Sequence, residues 1–171
     1  MEEVILVDIH DEEIGKMEKI EAHRIGALHR AFSVMVYNSR GEVLLQKRAQ
    51  RKYHSGGLWT NACCSHPAPG EDIDDAISRK LMSEMGLTLT PTYAFKFLYR
   101  ADVGDGLIEH EYDHVYAGIS DQTPTINPQE VEEWKYMTSE ALFADVNAFP
   151  DAYTSWFRII LNHPELTGIA K

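Results

Sequence analysis

Two pairs of apolar, partly β-branched runs, each pair joined by a short turn, constrain the fold of this chain more than any other feature. The runs are residues 32–37 and 43–47 in the first pair, and residues 95–101 and 107–118 in the second. The first turn is Asn38-Ser39-Arg40-Gly41, and the second, residues 102–106, contains two glycines. The sequence therefore predicts two β-hairpins. Further strands are predicted at residues 4–9 and 131–137, and a turn at residues 11–15.

Helical patterns alternate with these strands. Residues 72–85 have apolar side chains at helical spacing, an acidic start and Gly86 at the end. A short helix is predicted at residues 139–146 with Ser139 as its N-cap, and a last helix from Pro150 to about Asn162. Residues 18–25 fit more than one structure. Hairpins with interspersed helices favour an α+β fold with a mixed sheet, in a single domain that spans residues 1–171.

Composition limits the partners and the compartment. The chain of 171 residues has a net charge of −11, which argues against a nucleic-acid backbone as the main partner. It contains neither a long apolar run nor a basic leader, so we expect no membrane span and no secretory signal. The two cysteines, Cys63 and Cys64, are adjacent, and neighbouring cysteines do not form an unstrained disulfide. Free thiols favour a reducing compartment, so we expect a cytoplasmic protein.

The segment around these cysteines brings reactive groups together. Cys64 and His66 are two residues apart, so an extended backbone places the thiol and the imidazole on the same side.

The helix predicted at residues 72–85 carries a carboxylate on its apolar face. Ile77 and Leu81 belong to the apolar stripe, and Glu84 falls in the middle of it, with Lys80 one turn earlier at the margin. A carboxylate that faces inward needs a partner. Two interpretations stay open, an i,i+4 ion pair between Lys80 and Glu84 and a metal ligand that points into a site.

Two further carboxylates, Glu109 and Glu111, lie two residues apart in a predicted strand, so both point to one face. They mark either a solvated sheet edge or a shared cation. His23 and His29 are weak signals by themselves, because isolated histidines are common in cores and on surfaces. Combined with His66 and the two glutamates, they would form a ligand set of nitrogen and oxygen atoms. Such a set suits a five- or six-coordinate Mn²⁺, Zn²⁺ or Mg²⁺ ion better than a structural zinc.

Basic residues gather near the same part of the chain. Lys47, Arg48, Arg51 and Lys52 precede the cysteine segment, Lys19 comes earlier and Lys80 lies on the helix. A basic cluster beside a metal site suits a phosphate or a diphosphate. The alternative is an ordinary charged strand end.

Three motifs together resemble the type I isopentenyl-diphosphate Δ-isomerase family. They are Leu28-His29-Arg30-Ala31-Phe32-Ser33, the segment from Leu58 to Pro67, which reads LWTNACCSHP, and Glu109-His110-Glu111. The resemblance extends from about Lys19 to Trp156. It implies a Nudix-like α/β/α sandwich, in which helices flank a mixed sheet.

The Nudix hydrolase motif, G-x5-E-x7-R-E-U-x-E-E-x-G-U with U apolar, is degenerate in this chain. The segment keeps Glu71, Arg79, Leu81, Glu84, Gly86 and Leu87. It has Ser65 in place of the first glycine, and Lys80 and Ser83 in place of two glutamates. Loss of two carboxylates removes much of the metal cluster with which a pyrophosphohydrolase activates water, so the departures favour an isomerase.

The resemblance assigns roles to particular positions. Cys64 and Glu111 would be the catalytic thiol and carboxylate, with Tyr99 hydrogen-bonded near Glu111. A first metal, Mn²⁺ or Zn²⁺, would be bound by His23, His29, His66, Glu109 and Glu111. A Mg²⁺ ion that arrives with the diphosphate would be held by Glu84 and the backbone carbonyl of Cys64. Lys19, Arg48, Lys52 and Lys80 would contact the diphosphate, and Trp156 would face the hydrocarbon.

The implied reaction moves the double bond of isopentenyl diphosphate to give dimethylallyl diphosphate. Protonation of the alkene produces a tertiary carbocation, and loss of a different proton produces the allylic isomer. The expected partner is this small diphosphate alone, with no nucleic acid and no membrane, and the protein is expected to be a monomer or a weak homodimer. A Nudix pyrophosphohydrolase and a non-catalytic, metal-stabilised binding module remain the alternatives.

Overall fold

The computed structural model describes residues 1–166. The strands are β1 Glu3–Val7, β2 Glu13–Glu18, β3 His29–Tyr37, β4 Val43–Arg48, β5 Trp59–Thr60, β6 Cys63–Ser65, β7 Thr92–Gly104, β8 Leu107–Ile119 and β9 Val131–Met137. The α-helices are α1 Lys19–Ile25, α2 Ile73–Met85, α3 Ser139–Ala148 and α4 Ser155–Leu161, and a 3₁₀ turn covers Pro150–Ala152.

Strand β3 organises the sheet. Within residues 1–166, nine strands form one mixed sheet, and β3 contacts β8 in parallel along its whole length, from His29 to Tyr37. Its other edge is shared in succession by β1, β6 and β4, all antiparallel. The outer strands β7 and β9 extend the sheet beyond β8 and β4. A strand with two occupied edges and no solvated face is expected to be apolar, and eight of its nine residues are buried.

The two faces of the sheet carry separate hydrophobic cores. On one face, Met35, Val115 and Tyr99 pack with α3 and α4, including Phe157. On the other face, Val34 and other residues of the sheet pack against the apolar stripe of α2. Helices therefore lie on both sides of the sheet, which agrees with the predicted α+β sandwich.

Most of the predicted elements are confirmed, including both hairpins, β9 and the helix that ends at Gly86. The carboxylate of Asp72 caps α2, and Gly86 ends it in a left-handed conformation at φ 63°. Residues 18–25, which the sequence left open, form the strand end of β2 and then α1.

Three local predictions are wrong or incomplete. Ser139 is not the cap of α3, because Thr138 takes that position and its side chain accepts a hydrogen bond from the amide of Ala141. The last helix is not continuous from Pro150, because the chain leaves the 3₁₀ turn at Tyr153, which forms a parallel bridge with Trp59. The predicted turn at residues 11–15 is shorter, since Glu13 already begins β2.

An ionic cluster around Asp11, called here the Asp11 cluster, fixes the β1–β2 turn to the sheet. Its carboxylate accepts hydrogen bonds from Arg30 Nε and Lys96 Nζ, each at 3.1 Å, and lies 2.8 Å from His114 Nε2. Burial by itself would raise the pKa of Asp11, but the charge of His114 and the hydrogen bonds from Lys96 and Arg30 outweigh it and lower that pKa. The cluster thus contributes stability only while Asp11 is ionised.

No helix within residues 1–166 is long and apolar enough to cross a membrane.

Candidate active site

The thiol of Cys64 and the carboxylate of Glu111 face the same side of the sheet from opposite edges of β3. In the register, Ser33 lies opposite Cys64 on β6 and opposite Val115 on β8. Residues directly opposite in neighbouring strands share a face, and so do residues that are an even number apart in one strand. Cys64, Val115 and Glu111 therefore lie on one face. Their strands are two interstrand spacings apart, about 10 Å, which leaves a gap above β3.

The floor of this gap is made of small side chains. His29, Ala31 and Ser33 alternate along the same face of β3, so the residues below the gap are an alanine and a serine. A cavity of ≈ 30 Å³ opens there. Its lining residues are Ala31, Phe32, Arg48, Tyr53, His54, Cys64, Ser65, His66, Glu109, Glu111 and Trp156.

Beside the cavity, five side chains form a cluster that can hold a metal ion. One ligand atom from each lies within 4.8 Å of the others, and the members are His23, His29, His66, Glu109 and Glu111. The three histidines lie in α1, in β3 and just after β6, and both glutamates lie in β8. The fold therefore brings together residues that are up to 88 positions apart (from 23 to 111). Glu109 and Glu111 are buried, at 2% and 5% exposure. The alternative of a solvated sheet edge is therefore wrong.

The hydrogen bonds of the imidazoles favour a cation in this cluster. His23 Nδ1 lies 2.7 Å from the carbonyl of Lys19, and His29 Nδ1 lies 2.9 Å from that of Ala27. A carbonyl only accepts, so each Nδ1 carries a proton and a neutral ring presents its lone pair at Nε2. Both Nε2 atoms face carboxylate oxygens, His23 that of Glu109 and His29 that of Glu111 at 3.2 Å. Lone pairs and carboxylates repel each other unless a proton or a metal ion lies between them. The donor set therefore fits a divalent metal.

The pKa values of the cluster show how burial, hydrogen bonds and neighbouring charges act on each member, and the pKa of His29 responds to the nearby carboxylates. Burial by itself would lower the pKa of His29, but the hydrogen bond and charge of Glu111, with the charge of Glu109, raise it to about 9. Burial and the neighbouring His29 and His23 instead lower the pKa of His66 to about 3. Burial would raise the pKa of Glu109, but its hydrogen bonds hold it well below the usual range. A divalent ion would replace the proton that His29 otherwise retains.

Two more side chains fix Glu111 and its surroundings. The hydroxyl of Tyr99 donates to Glu111 Oε1 at 2.5 Å and lies 3.4 Å from Glu109 Oε2. The sequence prediction that places Tyr99 near Glu111 thus has the expected geometry. Asp113, the next residue on this face, accepts from the hydroxyl of Ser33 at 2.8 Å. Burial and the charge of Glu111 raise the pKa of Asp113 well above its usual value.

The other wall of the cavity holds Cys64, Arg48 and Trp156. The guanidinium of Arg48 lies 5.3 Å from the centre of the Trp156 ring, and its Nη1 lies 3.9 Å from the sulfur of Cys64. Burial raises the pKa of Cys64 to about 12, although the charge of Arg48 opposes the shift. The thiol is therefore protonated at neutral pH. Trp156 is 3% exposed, and its indole presents an apolar surface to the cavity.

The predicted diphosphate contacts divide into two groups. Three lysines, at positions 19, 52 and 80, form a cluster with acidic neighbours. Lys19 Nζ lies 2.8 Å from Glu2, and Lys52 pairs with Glu130. Burial would raise the pKa of Glu130, but Lys52 and then Lys80 and Lys19 lower it, so the three charges converge on one region. Arg48 is not in this cluster, because it lies buried beside Cys64.

Glu84 lies apart from the five-residue cluster. It is 4% exposed on the face of α2 that packs against the sheet. Its Oε2 lies 3.2 Å from Lys80 Nζ, and its Oε1 accepts from Gln46 Nε2 at 3.2 Å and lies 3.9 Å from the sulfur of Cys63. The i,i+4 ion pair that the sequence suggested is therefore present, and the carboxylate is at the same time held beside the cysteine segment.

Sequence reasoning missed three residues of the site, Tyr53, His54 and Asp113. Asp113 follows Glu111 by two positions in β8, so the same alternation that selected the two glutamates could have identified it. Tyr53 and His54 lie in the connection between β4 and β5, where no strand or helix periodicity indicates direction. Lys19 and Lys52 lie 4.5 and 6.0 Å from the centre of the Tyr53 ring, which thereby joins the lysines to the cavity.

The architecture and the match to known proteins define the class of this chain. A family model described as NUDIX domain matches residues 27–157, so the chain belongs to the NUDIX domain family. A crystal structure of a Deinococcus radiodurans protein covers 92% of this chain and 96% of its own, with a TM-score of 0.77 and 21% identity. A MutT protein of Methanosarcina mazei gives a TM-score of 0.60 at 18% identity, over 68% of this chain and 81% of its own. At such identities the likeness concerns the fold.

Curated relatives define the family within that class. The isopentenyl-diphosphate Delta-isomerase of Pectobacterium atrosepticum is 50% identical over 157 residues, 92% of this chain and 88% of its own length. Isopentenyl-diphosphate Delta-isomerase 2 of Aromatoleum aromaticum is 48% identical over 161 residues, 94% of this chain and 85% of its own length. The chain belongs to the isopentenyl-diphosphate Delta-isomerase family.

Proposed function

We propose that this protein catalyses the isomerisation of isopentenyl diphosphate to dimethylallyl diphosphate in isoprenoid biosynthesis. The observation that carries the proposal is the juxtaposition of Cys64 and Glu111 on one sheet face, across a small-residue floor and beside a cluster suited to a metal ion. A hydrolase has no need of a protonated thiol that faces a buried carboxylate. The family to which the chain belongs agrees with this function.

The two groups suit a protonation–deprotonation sequence. A proton is added to the terminal methylene carbon, the electron pair of the double bond forms the new C–H bond, and a tertiary cation remains. Loss of a proton from the carbon nearer the diphosphate ester supplies the electron pair of the new double bond, so no proton is consumed overall. An unactivated alkene is a poor base, so the donor must be held against it in a dry cavity. Cys64 and Glu111 are the proposed proton-transfer pair, and either could donate the first proton.

Each neighbour has a defined task in this proposal. Tyr99 fixes the orientation of the Glu111 carboxyl through its short hydrogen bond. A Mn²⁺ or Zn²⁺ ion bound by the three imidazoles and two glutamates would supply positive charge that tunes the acidity of Glu111. Trp156 provides a π-face for the cation, as indole faces attract positive charge. The carbocation would be short-lived in water, so the burial of Trp156 also protects it.

The lysine cluster is the proposed anchor of the diphosphate. Lys19, Lys52 and Lys80 offer three positive charges near one another, and Arg48 adds a fourth beside Trp156 and Cys64. Glu84 and the carbonyl of Cys64 are the proposed ligands of the Mg²⁺ ion that accompanies the diphosphate. Binding of that ion would require Glu84 to exchange its contact with Lys80, which would release the lysine for a phosphate oxygen.

We also propose that the protein works in the cytoplasm, as a monomer or a weak homodimer, on this small diphosphate and on neither nucleic acid nor membrane. The free cysteines Cys63 and Cys64 support a reducing compartment. The net charge of −11 supports a substrate that is recognised by a local basic cluster.

A product assay tests the proposal. The protein is incubated with isopentenyl diphosphate and Mg²⁺, with and without Mn²⁺, and the allylic product is detected by its lability in acid. We expect the allylic diphosphate to accumulate with no release of phosphate. Phosphate release from the same substrate or from nucleoside diphosphate derivatives, without an allylic product, would indicate a pyrophosphohydrolase. A thermal shift with metal but no turnover of any diphosphate would indicate a binding module.

A further inference from the structure

His54 is a buried imidazole that lies between the metal-binding cluster and the hydrocarbon wall of the cavity. It is 5% exposed. Its ring centre is 5.5 Å from that of His23 on one side and 5.8 Å from that of Trp156 on the other, where the two rings meet edge to face at 84°. No other task described above uses this side chain, although it lines the same cavity as Cys64.

The hydrogen-bond partners of His54 define which ring nitrogen carries a proton. Its Nδ1 lies 3.0 Å from the hydroxyl oxygen of Ser55, which can donate to it. The proton of the neutral ring is then on Nε2, which lies 2.7 Å from Oε1 of Glu109. The ring is not aligned for a regular hydrogen bond to that oxygen. A buried N–H needs an acceptor, and the carboxylate of Glu109 is the adjacent one.

The backbone of His54 also contacts the wall of the cavity that holds Arg48, Trp156 and Cys64. Its carbonyl accepts from Arg48 Nη2 at 3.1 Å, and Arg48 in turn contacts Trp156 and the sulfur of Cys64. The following residue, Ser55, has a φ of 54°, a left-handed conformation that is uncommon for serine. Such a conformation persists only where the surrounding contacts over-determine it. The side chain and the carbonyl of His54 are two of those contacts.

We propose that His54 is a positioning residue: its imidazole N–H orients Glu109 as a metal ligand, and its ring closes the cavity against Trp156. The side chain therefore links the β4–β5 connection to the metal-binding cluster and to the wall of the cavity at Trp156. The metal-binding half of the proposal stands on the geometry of the cluster. The kinetic half rests on the proposed isomerase function.

The test compares three variants with the wild-type protein. His54→Phe keeps a ring of similar shape against Trp156 but removes the N–H, and His54→Gln places an amide N–H near the position of Nε2. His10→Phe makes the same change at an exposed histidine outside the site and is the matched control. Each protein is freed of metal with a chelator and titrated with Mn²⁺ alone by calorimetry or electron paramagnetic resonance. The melting temperature of the metal-free form is recorded in parallel.

We expect the Mn²⁺ affinity of His54→Phe to fall by about 10- to 100-fold, the range typical of lost partners of metal ligands. His54→Gln should recover most of that loss, and His10→Phe should bind Mn²⁺ like the wild type. With isopentenyl diphosphate as substrate, His54→Phe should lower kcat with little change in KM, because the lysine cluster is untouched.

Wild-type Mn²⁺ affinity in His54→Phe would overturn the proposal. A loss of affinity in His54→Phe that His54→Gln does not restore would also overturn it. So would a loss of affinity that is accompanied by a large fall in the melting temperature of the metal-free protein, because the variant would then be damaged as a whole. Failure of the proposed function has a different signature, since wild-type protein would then bind Mn²⁺ but form no allylic product. The affinity measurements remain a test of His54 in that case.

Discussion

Replacing Cys64 with alanine should abolish isomerisation and leave stability nearly unchanged. Replacing its neighbour Cys63 should leave isomerisation nearly unchanged and lower stability. The two thiols are adjacent in sequence but point to opposite faces of the sheet. Cys63 is fully buried in the core that α2 covers, and Cys64 faces the cavity beside Arg48. The pair therefore separates the chemistry of a thiol from its contribution to packing.

The structure sets the expected magnitudes. Removing the sulfur of Cys63 leaves a void in a close-packed core, which should cost about 1–1.5 kcal/mol of unfolding free energy. Removing the sulfur of Cys64 enlarges a cavity that already exists, so the cost should be below about 1 kcal/mol. A positioned proton-transfer group contributes roughly 10²- to 10⁴-fold to a rate, or about 3–5.5 kcal/mol of barrier. The loss in Cys64→Ala should therefore appear in kcat and not in stability.

The assay combines turnover of isopentenyl diphosphate with urea denaturation of both variants and the wild type. Cys63→Ala should turn over within a fewfold of the wild-type rate and unfold at a lower urea concentration. Near-normal turnover by Cys64→Ala would remove the thiol from the mechanism. Equal losses of activity in the two variants would show that packing of the segment, rather than the Cys64 thiol, controls the rate.

Three further changes test separate parts of the structure. Tyr99→Phe removes a buried hydrogen bond to a charged acceptor, which is worth about 1.5–3 kcal/mol. Steady-state kinetics should therefore show kcat lowered by roughly 10- to 100-fold at similar KM. An unchanged kcat would mean that Glu111 is oriented without Tyr99. Ala31→Leu fills the floor of the cavity, so kcat/KM should fall sharply. Calorimetry should show a destabilisation of no more than about 1–3 kcal/mol. Normal turnover would mean that the alkene binds elsewhere. Asp11→Asn should lower the unfolding free energy at pH 7 by about 1–2 kcal/mol, because the pKa of Asp11 is lowered in the folded state. The stability from this carboxylate is present above the unfolded pKa near 4 and is lost as pH falls through the lower, folded pKa. The gap between variant and wild type should therefore narrow progressively as urea titrations are taken below about pH 4, and a gap that does not narrow would contradict the assignment.

Local periodicity was sufficient to place the residues of a single element. The alternation in β8 correctly assigned Glu109 and Glu111 to one face, and the helical spacing in α2 correctly placed Glu84 among buried positions. The mistaken cap at Ser139 has a local reason too, because Thr138 precedes it and both residues can cap a helix. Periodicity specifies only the direction in which a side chain points from its own strand or helix. It therefore places residues within one element but not one element relative to another.

The convergence of separate elements could not be read from spacing. His23 and His29 are six residues apart on different elements, and only the parallel pairing of β3 with β8 places His29 beside Glu111. The ligand chemistry of these residues suggested the grouping, and the resemblance to a family assigned it. It did not supply His54, because an irregular connection follows no periodicity and its side chains are directed by long-range contacts. The catalytic and substrate-binding roles of the named residues stay predictions that the variants above test.

The dryness of the proposed site follows from its position in the core. Tyr99, which donates to Glu111, and Trp156, which lines the cavity, are also members of the hydrophobic cluster formed with α3 and α4. The cavity therefore adjoins that core, at a place where the side chain of Ala31 is too small to fill the space. This arrangement makes the buried carboxylates costly in the absence of a cation, and it also excludes the water that would capture a carbocation. The same packing thus explains why the cluster favours a metal ion and why an alkene can be protonated beside it.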